Sequence, residues 1–195
     1  MPHGSSPEAG ATSQLDGEAQ LLSRIAAGDK LAFETLYRDY FPRLTRFLGR
    51  MSRSPGLIEE LVNDTMMVVW QKAASYDGSC KVSTWVFAIA YRKALKARAR
   101  WPDPVESDER DVRVSNDPAP DAELDRSRVR DALIGAMGQL SFEQRAVVDL
   151  TYFHGLGYRE IADILSCPVD TVKTRMFHAR RRLKQALSGT LADWL

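Results

Sequence analysis

The sequence predicts an all-α chain of two small helical domains joined by a flexible acidic linker, the second domain containing a helix-turn-helix. Three observations predict it. Apolar residues recur at helical spacing through most of residues 18–101 and 121–188, and no stretch of any length alternates as a strand would. Between these halves Pro102, Pro104, Pro118 and Pro120 stand among many charges, a composition that cannot bury enough apolar surface to stay compact. Near the C-terminus a short amphipathic segment, a break and a long basic segment follow one another. The expected boundaries are a mobile Gly/Ser/Ala/Pro-rich tail over 1–17, a first domain over 18–101, a linker over 102–120, a second domain over 121–188 and a short tail over 189–195.

In the first half, Leu21, Leu22 and Ile25 start an amphipathic helix, and Gly28-Asp29 breaks it. Phe33, Leu36, Tyr37, Tyr40 and Phe41 mark a second helix, whose apolar pattern Leu44, Phe47 and Leu48 continue past Pro42; Ser54-Pro55-Gly56 is the next break. A helix from about Leu57 to Ala73 turns Ile58, Leu61, Val62, Thr65 and Val69 inward. Its opposite face carries Glu60, Asn63, Asp64, Met67 and Trp70. Leaving a Met or Trp in water forfeits roughly 1.5–3 kcal/mol of burial. Such residues beside carboxylates mark either a docking surface for another protein or, for Trp70, a site covered by a second helix of the same domain. After the loop Tyr76 to Val82, a helix beginning near Ser83-Thr84-Trp85 is apolar through Ile89 and then basic, with Arg92, Lys96 and Arg100 in one stripe. Tyr76, Trp85 and Tyr91 lie near that stripe in sequence. Rings beside cations suit stacking of single-stranded bases, although Trp85 and Ile89 read as core.

In the second half, periodicity resumes at Leu124, Val129, Leu133 and Met137, and Ser141 with Gln144 forms a capping-box pattern. Tyr158, Ile161, Ala162 and Leu165 then make a short helix that ends before Pro168, which fits the first turn of the next helix. Asp170 stands near the positive N-terminal end of that helix. Val172, Met176, Ala179 and Leu183 form its buried stripe; Thr174, Phe177 and Arg181 point away, flanked by Lys173, His178 and Lys184, and no acid interrupts Lys173 to Lys184. A basic run alone is usually a solvated surface. With the turn, the spacing and an outward Phe177, it reads as a recognition helix that lies along phosphates and presents side chains to base edges in the major groove.

The composition excludes several classes. The 195 residues carry a net charge of only +1, but the charge is segregated: residues 78–102 hold bases without acids, and Asp103 to Asp125 is predominantly acidic. Cys80 and Cys167 have no partner at metal-ligand spacing, so two unpaired thiols are expected, with no metal and no cofactor. No phosphate-cradling loop and no nucleophile with a base is present, and His3, His154 and His178 lie in unrelated contexts, so an enzyme is not expected. No apolar run is long enough to span a membrane, and no signal peptide is seen.

In this order the elements resemble the extracytoplasmic-function group of bacterial RNA polymerase sigma factors, of the sigma-70 family. Glu60-Leu61-Val62-Asn63-Asp64 is similar to the docking helix of the family's first domain, region 2. Tyr76-Asp77-Gly78 through Val82-Ser83-Thr84-Trp85 resembles its promoter-melting loop and helix. Leu140 to Val148, Gly157 to Ala162 and Pro168 to Arg175 resemble the C-terminal domain, region 4. The resemblance implies that Glu60, Asn63, Asp64, Met66, Met67 and Trp70 grip the clamp helices of the polymerase beta-prime subunit, with the beta flap as a second contact. It implies that Ser79, Lys81 and Ser83 lie in the loop that captures a flipped base of the minus-ten element, with Arg92 and Lys96 following on the same helix. Lys173, Thr174, Phe177 and His178, with Thr171, match positions that read the minus-thirty-five element, and Arg175, Arg180 and Arg181 would hold phosphates. Ala88, Arg92 and Lys96 depart from the family's usual Arg, Asn and Asp, and Ser166 stands where a turn glycine is usual. The implied partners are core polymerase, promoter DNA and an anti-sigma factor, in the bacterial cytoplasm without membrane insertion. Cys80 falls in the base-capture loop, so a modified thiol there would alter DNA binding. The rival reading is a two-domain helix-turn-helix regulator that acts without polymerase docking.

Overall fold

The computed structural model describes residues 8–100 and 132–191, and these residues contain helices and turns but no strand. Five helical segments build the first unit. Helix α1 (Glu8–Ala26) starts inside the stretch expected to be a tail. Its anchor is Leu22 and Ile25, both buried, and a helix once nucleated there can propagate toward the N-terminus. Gly28, at φ +88, ends this helix in a backbone conformation that side chains rarely tolerate. Asp29 then caps α2 (Lys30–Met51), its carboxylate accepting from the Leu31 and Ala32 amides while pairing with Arg24. These bonds hold the Asp29 carboxyl below the usual carboxylate range.

Helix α2 is the spine of this unit. Ala32, Leu36, Tyr40, Leu44, Phe47 and Met51 are all buried along one side. Pro42 sits inside the helix on an exposed side, so the hydrogen bond it cannot donate is lost where water can replace it. Tyr40 donates to Glu18 at 2.9 Å, with the Arg43 guanidinium over its ring, and this ties α1 to α2. Ser54 and Pro55 open α3 (Pro55–Lys72), which buries Leu61, Val62, Thr65, Met66 and Val69. The buried Thr65 hydroxyl donates to the Leu61 carbonyl, so it carries no unpaired polar group into the core. A short 3-10 turn (Ala73–Ser75) and the loop 76–81 lead into α4 (Val82–Arg100).

The second unit begins, among the described residues, with α5 (residues 132–138). Ser141 caps α6 (Phe142–Tyr152) through the full reciprocal pattern with Gln144. Helix α7 (Tyr158–Leu165) and helix α8 (Val169–Leu191) complete it. Val172, Met176 and Ala179 of α8 are buried, as the spacing predicts. The expected linker over 102–120 and the start of helical pattern at Leu124 and Val129 lie outside the described residues, as do residues 192–195.

The two units do not stand apart. Helix α4 packs against α7, and α2 against α6, giving one continuous core. The Phe47 and Phe87 rings of the first unit meet His154 of the second at 6.2 and 4.5 Å. Tyr91 meets Phe142 at 5.7 Å. Arg50 pairs with fully buried Asp149, and Arg145 donates to the Arg50 carbonyl. Periodicity within each half gives no information about contacts between halves, which is why this packing was not expected.

Candidate nucleic-acid interface

The helix-turn-helix is built locally. Gly157 donates its amide to the Glu160 carboxylate at 2.9 Å and so fixes the start of α7. The turn passes through Ser166, which adopts a left-handed conformation at φ 50 and ψ 49. Its amide donates to the Asp163 carbonyl, and the Cys167 amide donates to the Ala162 carbonyl. Pro168 then offers its carbonyl to the Thr171 and Val172 amides as α8 begins. An L-residue in this conformation is strained by about 1–2 kcal/mol, partly offset by the larger chain entropy that glycine would lose. Ser166→Gly should therefore stabilise the protein by about 0.5–1 kcal/mol. Urea denaturation checks it: the midpoint rises with the slope unchanged. A lower midpoint would mean that the serine hydroxyl has a compensating role.

Helix α8 presents most of the expected side chains to water. Lys173, Thr174, Phe177, His178 and Arg181 are all exposed, Phe177 at 64%. The Phe177 and His178 rings meet edge to face at 5.5 Å. Lys173 pairs with Asp170 at 2.9 Å on the exposed surface, and Thr174 donates to the Asp170 carbonyl. Arg180 reaches back to the Tyr152 hydroxyl at 3.0 Å. Thr171 is half-buried. Arg175 departs from the expected outward set: its guanidinium turns toward the Cys167 sulfur at 3.6 Å. Helical geometry accounts for this, because Arg175 lies closer to the buried stripe than to Phe177.

The loop 76–81 is well ordered by its own residues. Asp77 accepts from the Ser79 amide at 2.9 Å, Gly78 takes φ +75, and the Tyr76 hydroxyl donates to the Cys80 carbonyl. The Tyr76 and Trp85 rings lie 5.7 Å apart. Ser79 and Lys81 are exposed. Ser83, expected in the loop, instead lies in the first turn of α4 and is buried at 7% exposure, because the helix begins at Val82. Arg92 and Lys96 are exposed on α4, whereas Tyr91, expected beside them as a stacking ring, is core. Burial, and then the neighbouring carboxylates of Asp163, Asp77 and Glu160, push the Cys80 thiol up. That disfavours the reactive thiolate.

On α3, Glu60, Asn63, Asp64 and Met67 face solvent, Met67 at 54%. Asp64 pairs with Lys93 at 2.8 Å, and Asn63 accepts from the Tyr37 hydroxyl at 2.9 Å. Met66 corrects the expectation made for it: it is 1% exposed and belongs to the core, one helical position round from Met67. Trp70 is half-buried, its ring edge-on to Phe33 at 5.2 Å. The covering helix that the sequence left open is thus α2. Periodicity missed the row Phe33–Tyr37–Phe41, whose rings follow one another at 6.2 and 5.6 Å beside this face. The i, i+4, i+8 spacing of those aromatics was the available signal. Among the described residues no cluster of His, Cys, Asp and Glu could hold a metal ion, and no helix is long and apolar enough to cross a membrane.

Comparison with known proteins agrees with this organisation. Residues 36–101 match the family model for sigma-70 region 2, and residues 130–183 match that for sigma-70 region 4. The chain is 34% identical to the ECF RNA polymerase sigma factor SigK of Mycolicibacterium vanbaalenii, covering 90% of each protein. It is 32% identical to the ECF RNA polymerase sigma factor RpoE of Cereibacter sphaeroides, covering 82% of this chain and 88% of that protein. Among solved structures, RpoE bound to the anti-sigma factor NepR from Bartonella quintana matches at a TM-score of 0.59 and 28% identity, covering 80% of this chain and 96% of that one. CnrH in complex with the cytosolic domain of CnrY shares the fold at a TM-score of 0.65 and 22% identity, covering 89% and 98%. With both regions matched in order and relatives this similar along nearly the whole chain, the protein belongs to the sigma-70 family, in its extracytoplasmic-function group, and is an alternative sigma factor that directs transcription with RNA polymerase.

Proposed function

We propose a division of labour between the two units of this sigma factor, carried above all by the exposed basic face of α8 on a rigid helix-turn-helix. In that reading Lys173, Thr174, Phe177, His178 and Thr171 read the edges of a minus-thirty-five element in the major groove. Arg180 and Arg181 hold phosphates, and Arg175 joins them only if its side chain leaves Cys167. The exposed edge of α3, with Glu60, Asn63, Asp64, Met67 and the free side of Trp70, docks on the beta-prime clamp helices of core polymerase. A polar and carboxylate rim around an apolar centre supports that assignment. The beta flap is the contact for the second unit.

The loop with Ser79 and Lys81 receives an unstacked base of the minus-ten element, and Arg92 and Lys96 follow the adjoining strand. Flipping a base costs a few kcal/mol, which polymerase docking and phosphate contacts must offset. The free chain offers few contacts per module, so binding to a promoter is weak alone and strong once core polymerase is added. A regulator acting without polymerase would bind equally well in both cases. Gel shifts with and without core polymerase, followed by transcription from a promoter library, decide between them. Absence of any start site that depends on the protein rejects the proposal. The exposed Met67 face also suits an anti-sigma factor, in keeping with RpoE having been solved with NepR. Action on promoters places the protein in the bacterial cytoplasm.

A further inference from the structure

Neighbouring residues on a helix point about 100° apart. Asn63 and Asp64 of α3 therefore lean to opposite sides of the line through Glu60 and Met67, which lie one turn away from both. Each is met from a different helix. Asp64 pairs with Lys93 of α4 at 2.8 Å, and because that ion pair is partly exposed on both sides it holds its members weakly. Asn63 Oδ1 accepts from the Tyr37 hydroxyl of α2 at 2.9 Å. The ring that carries this hydroxyl is held on both sides, 6.2 Å from Phe33 and stacked on Phe41 at 5.6 Å. A tyrosine has only two side-chain torsions, so a packed ring aims its hydroxyl at one place. Phe33, one turn before Tyr37, meets Trp70 edge-on at 5.2 Å, and Trp70 lies two turns beyond Asn63. The aromatic row of α2 thus runs along the back of the docking face and touches two of its members.

We infer that Tyr37 is a positioning residue for polymerase docking, one that acts through Asn63 and not by its own contact with the partner. Its hydroxyl occupies Asn63 Oδ1, which leaves the amide nitrogen and its two N–H donors for the partner. The docking face then offers a donor beside the carboxylates of Glu60 and Asp64, and core polymerase must bring a carbonyl or carboxylate oxygen to that point. An unsupported asparagine on an exposed helix samples several rotamers, and ordering it on contact subtracts from affinity. With Tyr37 in place the ordering is complete in the free chain. This role rests on the docking assignment of Asn63 made above.

The test is a double-mutant cycle on the full chain, read as affinity for core RNA polymerase titrated into the fluorescently labelled protein. Tyr37→Phe deletes the hydroxyl and keeps the ring stack, so the thermal midpoint should stay within about 2 °C of wild type. Its affinity for polymerase should fall at least about threefold, and that of Asn63→Ala by a similar or larger factor. In the Asn63→Ala background, Tyr37→Phe should have no further effect. Asn63→Asp keeps an acceptor for Tyr37 but has no donor, and should bind polymerase as weakly as Asn63→Ala; wild-type affinity would overturn the outward donor. The same loss from Tyr37→Phe with and without Asn63 overturns the positioning role. Unchanged affinity in Tyr37→Phe, while Asn63→Ala weakens binding, also overturns it and leaves the docking face intact. Asn63→Ala that binds as tightly as wild type overturns the docking assignment of Asn63 and the positioning role with it.

Discussion

Holoenzyme rebuilt with Lys173→Ala and His178→Ala should lose use of the upstream promoter element while co-eluting with core polymerase as before. Both side chains are exposed on α8 and neither touches the buried stripe of Val172, Met176 and Ala179, so their removal leaves the helix seated. Lys173 pairs with Asp170, and that pair is exposed on both sides. Such a pair contributes little to stability, so its ammonium is available for DNA at small cost. Each lost base-reading contact should remove about 1–3 kcal/mol of discrimination. Two together amount to about 2–6 kcal/mol, a drop of roughly 30-fold to more than 10,000-fold in preference for the matched element. Competition transcription from promoters with matched and scrambled upstream elements measures it. Equal loss on both templates, or a parallel loss of polymerase binding, would show that α8 does not read the sequence.

Phe47→Ala should cost about 3–5 kcal/mol of stability, a large part of the roughly 5–15 kcal/mol a domain has. Phe47 is fully buried in the middle of α2, with its ring at 87° to that of Phe87 and 5.4 Å away. Alanine removes that edge-on contact and leaves a cavity that two helices must partly collapse to fill. The same ring faces His154 across the junction, so the variant should weaken the contact between the units along with the first unit. Thermal unfolding should move down by roughly 10 °C. Phe47→Leu keeps most of the volume and should cost under about 1.5 kcal/mol. Equal losses for Leu and Ala would place the cost in the aromatic contact and not in the cavity.

Much of the fold was legible because it is written in short-range spacing. The breaks at Gly28-Asp29 and Ser54-Pro55, the Ser141 cap and the turn at Ser166 each follow from local backbone chemistry, and the structure has each of them. The stripe of α8 was equally plain, since three turns of helix average out local noise. Met66 and Met67 show a limit of the family resemblance, which put both on the docking face, whereas helical spacing turned only Met67 outward. They are adjacent and chemically identical, and only the phase of α3 against α2 and α4 decides which is core. Trp70 depended on Phe33, and Tyr91 on Phe142, contacts between residues far apart in sequence. Helical spacing began α4 near Ser83, within one residue of its start at Val82, and only the family resemblance put Ser83 in the capture loop. The roles of the exposed residues came from family resemblance, since exposure alone does not distinguish a promoter from any other polyanion.

The aromatic junction has a thermal consequence. Parting the units would wet the rings of Phe47, Phe87, Tyr91 and Phe142, and hydrating apolar surface raises heat capacity. The balance between the two arrangements must then curve with temperature instead of shifting steadily in one direction. Warming beyond the temperature at which their contact is most stable would then favour parting.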